Sequence, residues 1–143
     1  MLSRTNEYVL RAMAFMAQQV DDWPLPGPRI AEQAGIPRKY LSNILGSLVR
    51  GGILESTPGV RGGFRMTRSP KVVFLREVLE PFEPALGPTH PCPFGQQLCN
   101  DTESCAGHER WQRVCESHDD FLQHTSVCDI GGKQNGSTKR KRR

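Results

Sequence analysis

The sequence predicts a mainly α-helical domain with one small β-hairpin, arranged as a winged helix-turn-helix followed by a long C-terminal helix. Three observations lead to this fold class. Apolar residues recur at helical spacing, two short helical segments are separated by about three residues that include a glycine, and a glycine-rich turn joins two strand-like segments. The chain has 143 residues, of which 36% are hydrophobic, so it is long enough for one domain with a core.

The first helix is predicted over residues 4–20, where apolar side chains repeat at spacings of three and four. The prolines and the glycine within residues 21–27 end it. A second helix begins near Pro28, and Gly35 closes it in the left-handed conformation. Pro37 then opens a third helix. The apolar positions of this third helix are Leu41, Ile44, Leu45 and Leu48.

The second and third helices are predicted to form a helix-turn-helix, in which the second of the pair enters the major groove of DNA. Arginine and lysine side chains reach phosphates or guanine edges, and asparagine pairs with adenine. The predicted DNA contacts on this helix are Arg38, Lys39, Tyr40, Ser42 and Asn43. For Tyr40 an equal alternative is that its ring packs against the first helix.

Two short strands are predicted at residues 53–56 and 64–67, and the segment between them is the wing. Its glycines let the backbone approach another backbone closely. Gly59 and Arg61 lie near the tip, where a wing would reach the minor groove. We therefore add these two residues to the predicted DNA contacts.

The C-terminal half is predicted to hold a short helix after Pro70 and a long helix over residues 103–127. Along the long helix, one line of residues alternates spacings of three and four. These residues are Trp111, Val114, His118, Phe121 and Thr125. Such a seam suits a partner helix, so we expect a homodimer.

Four metal-ligand side chains fall within 17 residues in the pattern Cys92-x6-Cys99-x5-Cys105-x2-His108. Cys105 and His108 lie at positions i and i+3 of the predicted long helix, so they share one face and could contact one metal centre. Three thiolates and an imidazole suit either a tetrahedral zinc ion or an iron-sulfur cluster. The absence of a Cys-x2-Cys knuckle modestly favours the cluster, while reduced thiols or an intramolecular disulfide remain the alternatives.

The sequence argues against three classes of protein: membrane-spanning proteins, secreted proteins and enzymes. No apolar run approaches the ~20 residues that span a bilayer, and the N-terminus lacks a cleavable secretory pattern, so we expect a cytoplasmic protein without membrane contact. Use of Cys105 as nucleophile and His108 as base would need an orienting third group, and none is evident. We therefore expect no enzymatic activity.

Four features of the chain resemble the IscR/NsrR/RirA family of dimeric winged-helix transcription regulators, over about residues 1–128. The features are the segments Tyr8–Met13, Ile36–Leu41 and Gly59–Arg65 and the three clustered cysteines. The resemblance implies a dimer that binds a pseudo-palindromic operator and senses redox state, nitric oxide or iron status through an iron-sulfur cluster. Where many members carry arginine before the first wing glycine this chain has Pro58, which leaves Arg61 as the groove contact.

The resemblance also implies a ligand set. Cys92, Cys99 and Cys105 match the three cluster cysteines, and His108 matches the fourth ligand of members with a 2Fe-2S cluster, the type we favour. Glu7 is the alternative fourth ligand, reaching over from the other subunit as in 4Fe-4S members. The alternative function is a zinc-stapled or thiol-redox winged-helix regulator without a cluster.

Charge divides the chain into three blocks. Residues 1–73 carry a net charge of +5, residues 74–132 of −7 and residues 133–143 of +6. We expect residues 1–73 to form the DNA-binding region and residues 74–130 to hold the cluster-binding loop and dimerisation helix of the same domain. Residues 131–143 are expected to be a disordered basic tail that adds nonspecific phosphate affinity.

Overall fold

The computed structural model describes residues 2–83, 92–94, 102 and 104–132. Within these residues the helices are α1 (Arg4–Gln18), α2 (Gly27–Ala34), α3 (Arg38–Arg50), α4 (Leu75–Leu79), α5 (His108–His124) and α6 (Val127–Gly131). Strands β1 (Leu54–Thr57) and β2 (Gly63–Met66) pair antiparallel as a two-stranded hairpin. This confirms the predicted class, a mainly helical fold with a small β-hairpin.

Helix α1 is the central element of the core. Ser3 caps its N-terminus by accepting a hydrogen bond from the backbone N–H of Asn6. One face of the helix is fully buried, at Val9, Ala12, Met13 and Met16. The helix stops at Gln18, two residues earlier than predicted, and Val20 begins a short 3₁₀ turn with its side chain 46% exposed. The apolar face therefore ends at Met16.

The helix-turn-helix is formed by α2 and α3. Gly35 adopts φ +66°, and its N–H donates to the carbonyl oxygens of the last turn of α2, as predicted for a left-handed cap. Ile36 is buried and its N–H donates to Ala31 O at 2.9 Å, which fixes the angle between the helices. The four predicted apolar positions of α3 are all buried.

The wing hairpin pairs Leu54 with Met66 and Thr57 with Gly63. Strand β1 therefore begins one residue later than predicted, and strand β2 begins one residue earlier. Leu25 forms an isolated antiparallel β-bridge with Phe64: the Leu25 N–H donates to Phe64 O at 2.9 Å, and the Phe64 N–H donates to Leu25 O at 2.8 Å. A Cβ on Gly63 would lie 2.3 Å from the Leu25 carbonyl. The close backbone approach predicted for the wing glycines is thus confirmed at this position.

The C-terminal helix is shorter than predicted. Instead of running over residues 103–127, α5 begins at His108 and ends at His124, and the chain then turns extended at Thr125. Ser126 opens α6 through a capping box with Asp129, in which each side chain accepts a hydrogen bond from the other's backbone N–H. The signal for this break is present in the sequence as Ser126-x-x-Asp129.

Helix α6 closes the fold against α1. Gly131 is buried, and a Cβ there would lie 2.6 Å from the Cβ of Ala17. The sequence-based division assigned Gly131 to the tail, but it is the last residue of a packed helix. The rest of the predicted tail, residues 133–143, lies outside the described residues.

No helix among the described residues is both long and apolar enough to cross a bilayer.

Candidate DNA-binding surface and cysteine site

The outward face of α3 carries all five of its predicted DNA contacts in exposed positions: Arg38, Lys39, Tyr40, Ser42 and Asn43. Arg38 and Lys39 form no ion pair with any residue that the structure describes, so both cations are available for an outside anion. The Ser42 hydroxyl donates to the Arg38 carbonyl oxygen at 3.0 Å. Ser42 can therefore offer DNA its oxygen as an acceptor while remaining small enough for close approach.

Tyr40 had two interpretations, a DNA contact and packing of its ring against the first helix, and its position is compatible with both. Its ring centroid lies 6.1 Å from that of Tyr8 in α1, at an interplanar angle of 40°. Its side chain is nevertheless 58% exposed. The Arg11 guanidinium lies over the other ring, 5.9 Å from the Tyr8 centroid. This Arg11–Tyr8–Tyr40 row was not predicted, although the i, i+3 spacing of Tyr8 and Arg11 on α1 was visible.

The tip of the wing presents one cation that has no partner among the described residues. Gly59 adopts φ +102°, a conformation that favours glycine and turns the chain at the tip. Arg61 is exposed and unpaired, whereas Arg65 is held by Glu55 across the hairpin. Among the described wing residues, Arg61 is therefore the cation available for an outside anion, and its contact with DNA stays a prediction.

The sulfur atoms of Cys92 and Cys105 lie 3.8 Å apart. Two thiolates on one tetrahedral metal with metal–sulfur bonds of about 2.3 Å are separated by about 3.8 Å. A disulfide would need a separation of about 2.05 Å. The pair therefore has the spacing of two ligands on a single metal centre.

The other predicted ligands are arranged differently from expectation. Cys105 precedes α5, and the N–H of His108 donates to the Cys105 carbonyl oxygen at 3.1 Å in a turn. The two residues therefore do not share a helix face, because Gly107 is the N-cap and the helix begins only at His108. Glu7 is exposed in the first turn of α1. Cys99 lies outside the described residues.

In the part of the chain that the structure describes, no three His, Cys, Asp or Glu side chains are grouped closely enough to hold a metal ion. The structure brings two predicted ligands together, and the third cysteine falls in the segment between them. Thiolate donors of this kind suit zinc and iron-sulfur clusters alike. The donor chemistry thus fits the group that the sequence predicted.

An aromatic contact positions the Cys92 segment. Phe94 lies two residues after Cys92, and its ring meets that of Trp111 edge to face, with centroids 6.5 Å apart at 84°. The same ring lies against Gly107, two residues after Cys105. The contact therefore holds the two cysteine segments side by side. Neither Phe94 nor Gly107 was predicted to matter, and Trp111 was assigned to the seam with a partner helix.

A buried amide anchors the residues just before the cysteine segment. Asn6 in α1 is fully buried, and its Nδ2 donates to a carboxylate oxygen of Glu83 at 2.5 Å. Glu83 is the last described residue before the gap that precedes Cys92. Sequence patterns gave no signal for this contact, because its partners are 77 residues apart.

Helix α5 has one packed face and one open face. Cys115 and Leu122 are 2% exposed and turn toward the core, whereas Val114 and Phe121 are 46% and 47% exposed. The open side contains a groove of about 580 Å³ bordered by these two apolar side chains and by His118. Two large apolar residues seven positions apart thus remain uncovered on a helix.

The comparisons with known proteins decide the family. Residues 2–132 match the family model described as Rrf2, iron-dependent transcriptional regulator. The chain belongs to the Rrf2 family. It is 24% identical to the HTH-type transcriptional regulator IscR of Xenorhabdus nematophila, over 97% of this chain and 89% of that protein.

Solved structures of Rrf2-type regulators share the fold. IscR of T. potens has a TM-score of 0.71 and 22% identity, covering 91% of this chain and 85% of that chain. CymR, the global cysteine regulator of B. subtilis, has a TM-score of 0.75 and 21% identity, covering 92% and 95%. The predicted winged helix-turn-helix is confirmed. The chain thus belongs to a family described as transcriptional regulators, and the relatives that it matches are named as regulators and not as enzymes.

Proposed function

We propose that this Rrf2 chain is an iron-sulfur-cluster-dependent regulator that binds operator DNA as a dimer in the cytoplasm. The observation that carries the proposal is the 3.8 Å separation of the Cys92 and Cys105 sulfurs at the start of α5. Relatives named IscR along nearly the whole chain support it. The signal is a change in redox state, nitric oxide or iron status.

Residues 1–73 are the DNA-binding region in this proposal. The exposed α3 side chains lie in the major groove, and Gly59 and Arg61 bring the wing to the minor groove. Arg38, Lys39 and Arg61 are exposed and form no ion pair among the described residues, so they supply phosphate or base contacts. The net charge of +5 on residues 1–73 favours the same polyanion.

Residues 74–130 hold the cluster-binding part. Cys92, Cys99 and Cys105 bind the cluster as thiolates, and His108 or the Glu7 of the other subunit is the fourth ligand. When bound, the cluster supplies a redox- and nitric-oxide-sensitive group whose charge and integrity depend on the signal. The chain's own part is to hold the thiolates at the spacing already present between Cys92 and Cys105.

Packed elements connect the cysteine site with the DNA surface. Helix α5 packs on α4, where Arg76 pairs with Asp119 at 3.6 Å, and α4 packs on α1. Helix α1 in turn carries Tyr8, whose ring contacts Tyr40 on α3. A shift at the start of α5 therefore has a continuous packed route to the recognition helix.

The open face of α5 is the dimer interface in this proposal. Val114 and Phe121 repeat at the seven-residue spacing that a second copy of the same helix would cover. A twofold dimer places two recognition helices about one DNA turn apart, which matches a pseudo-palindromic operator.

The deciding experiment is iron and acid-labile sulfide analysis of protein purified without oxygen. Wild-type protein should contain both elements and show visible absorbance. Alanine at any one of Cys92, Cys99 or Cys105 should remove the colour, whereas the control Cys128→Ala should keep it, because Cys128 lies in α6. A triple-cysteine variant that retained full iron and sulfide would refute the ligand set.

The fourth ligand is tested separately. His108→Ala and Glu7→Ala are compared by absorbance and Mössbauer spectra of the loaded protein. The variant whose spectrum changes identifies the ligand. His108 supports the favoured 2Fe-2S type, and Glu7 supports 4Fe-4S.

The same geometry also suits the second candidate, a zinc-stapled winged-helix regulator, since 3.8 Å is the separation expected for two zinc-bound thiolates. Metal analysis distinguishes the two functions. Stoichiometric zinc without sulfide would favour the staple, and metal-free protein with reactive thiols would favour a thiol-redox regulator.

A further inference from the structure

Trp111 has a buried hydrogen-bond donor without an acceptor. Its Nε1 is inaccessible to solvent and has no hydrogen-bond partner among the described residues. Indole nitrogen is a donor only, so the missing group must be an acceptor. A buried N–H left unpaired costs free energy, and such groups in folded proteins are almost always satisfied by a partner, a water or a ligand.

The other tryptophan shows the usual arrangement. Trp23 Nε1 donates to the carbonyl oxygen of Met16 at 2.9 Å. The chain contains only these two tryptophans, so they form a matched pair in which one donor is satisfied and the other is not.

The residue that carries the unsatisfied donor contacts the neighbours of both paired cysteines. The Trp111 backbone N–H donates to Gly107 O, one helical turn after Cys105. Its indole ring contacts the Phe94 ring on the Cys92 segment, and Phe94 also touches Gly107. Trp111 is thus linked through its ring to the Cys92 segment and through its backbone to the turn after Cys105, the two segments whose sulfur atoms lie 3.8 Å apart.

We propose that the Trp111 indole N–H donates a hydrogen bond to a sulfur atom of the cluster held by Cys92 and Cys105, either a cysteine thiolate or an inorganic sulfide. The inference rests on the proposed function. Sulfur in such a centre carries negative charge and accepts N–H donors. Trp111 is therefore a positioning and tuning residue, and the edge-to-face contact with Phe94 orients its indole ring.

The hydrogen bond should shift the midpoint reduction potential of the cluster in one direction. A donor to sulfur stabilises the reduced, more negative state of the cluster and raises its midpoint reduction potential. Trp111→Phe removes the N–H and keeps an aromatic ring against Phe94. We expect this variant to contain as much iron and sulfide per chain as wild type, and to have a lower midpoint potential.

The matched control is Trp23→Phe, which removes the other indole far along the chain. It should leave the midpoint potential where wild type has it. In this control Trp111 is the sole tryptophan, so its fluorescence should be quenched by the cluster and should recover when a chelator removes the iron.

A measurement on the wild-type protein does not depend on any variant. With nitrogen-15 placed only in the indole rings, electron-nuclear double resonance of the reduced cluster should detect the indole nitrogen and its exchangeable proton. The Trp23→Phe protein should give the same coupling, because Trp111 is its source.

The outcomes separate the two proposals. Loaded Trp111→Phe with the wild-type potential, or a wild-type cluster without indole coupling, would overturn the Trp111 inference and leave the cluster in place. An unchanged potential with a weakened dimer would assign the indole donor to the partner subunit instead. Wild-type protein without iron and sulfide would refute the proposed function itself.

Discussion

A Cβ atom added to Gly107 would lie 2.7 Å from Cε2 of Phe94. The backbone of Gly107 has φ −95°, which any residue can adopt, so glycine is required here for space and not for conformation. The lack of a side chain lets the Phe94 ring pack closely against the residue that precedes α5. The residue that leads into the helix thereby determines where the Cys92 segment lies.

Gly107→Ala should displace Phe94 while leaving the fold intact. The ring is the free end of a side chain that is 59% exposed, so the free energy of unfolding should change by only about 0.5 kcal/mol. The separation of Cys92 and Cys105 should widen. We expect less iron per chain and severalfold faster bleaching in air, measured by absorbance.

The control is Gly132→Ala, because a Cβ there meets only ordinary contacts, the nearest at 3.6 Å. It should leave iron content and bleaching rate unchanged. Equal iron content and equal bleaching in Gly107→Ala and Gly132→Ala would show that the Phe94 contact does not position the site.

Much of the fold was predictable because local signals and tertiary packing agree. The three-residue turn with Gly35 and the apolar spacing of α3 identified the helix-turn-helix correctly. The end of a helix is predicted wrongly where a capping residue stops the helix although the apolar spacing continues. Thr125 continued the apolar spacing of α5, yet the Ser126 capping box ended the helix and started α6.

Less of the site could be predicted, because its contacts join distant parts of the chain. The cysteine cluster was visible from spacing, and the contact of Cys92 with Cys105 agrees with it. The packing of Phe94 on Gly107 and Trp111 depends on the path of the loop in space, which no local pattern encodes.

Gly63→Ala should destabilise the wing. Its Cβ would lie 2.3 Å from the carbonyl carbon and oxygen of Leu25, and its φ of +152° is unfavourable for alanine. The Leu25–Phe64 bridge must then open. We expect a loss of about 2 kcal/mol or more in the free energy of unfolding by urea denaturation. Gly52→Ala is the control, with φ +76° and open space, and should cost only about 1 kcal/mol. Equal losses would argue against the Leu25 contact.

Arg38→Ala and Arg61→Ala should weaken binding to operator DNA. A lost phosphate contact weakens binding to all sequences alike and lowers the salt slope by about 0.9. A lost base contact instead costs about 1–3 kcal/mol on the operator alone. Fluorescence anisotropy over a range of salt distinguishes the two. Arg68→Ala, whose side chain is paired with Glu77, is the matched charge control. An effect of Arg68→Ala as large as the others would mean that only net charge matters.

Ser126→Ala should loosen α6. The capping box lost with the hydroxyl contributes about 1 kcal/mol to the free energy of unfolding.

The Ser126 backbone N–H, followed by its hydroxyl, lowers the pKa of Asp129. A carboxylate with a lowered pKa stabilises the folded protein above about pH 3.9, and this contribution is lost as the pH falls through the lowered value. Asp129→Asn should remove that part of the pH dependence, measured by thermal unfolding from pH 2 to 7. An Asp129→Asn profile parallel to that of wild type would contradict the assignment.

Phe121→Glu should convert the dimer to a monomer. The side chain is 47% exposed in one protomer, so the charge is solvated there and the free energy of unfolding should change by only about 0.5 kcal/mol. In a dimer formed through α5, the same charge would be moved from water against the apolar face of the partner helix, which carries a desolvation cost. Sedimentation should therefore show monomer at concentrations where wild type is dimeric. Operator affinity should fall steeply, because two half-sites are no longer held together.

The matched control is Val72→Glu, which places the same charge at an exposed apolar residue outside α5. Val72 is 52% exposed, close to the exposure of Phe121, so solvent screening and net charge change equally in both variants. Only the position on the open face differs. If Phe121→Glu remained dimeric, or if Val72→Glu dissociated to the same extent, the pairing of two α5 helices would be refuted, and the uncovered Val114–Phe121 face would need another explanation.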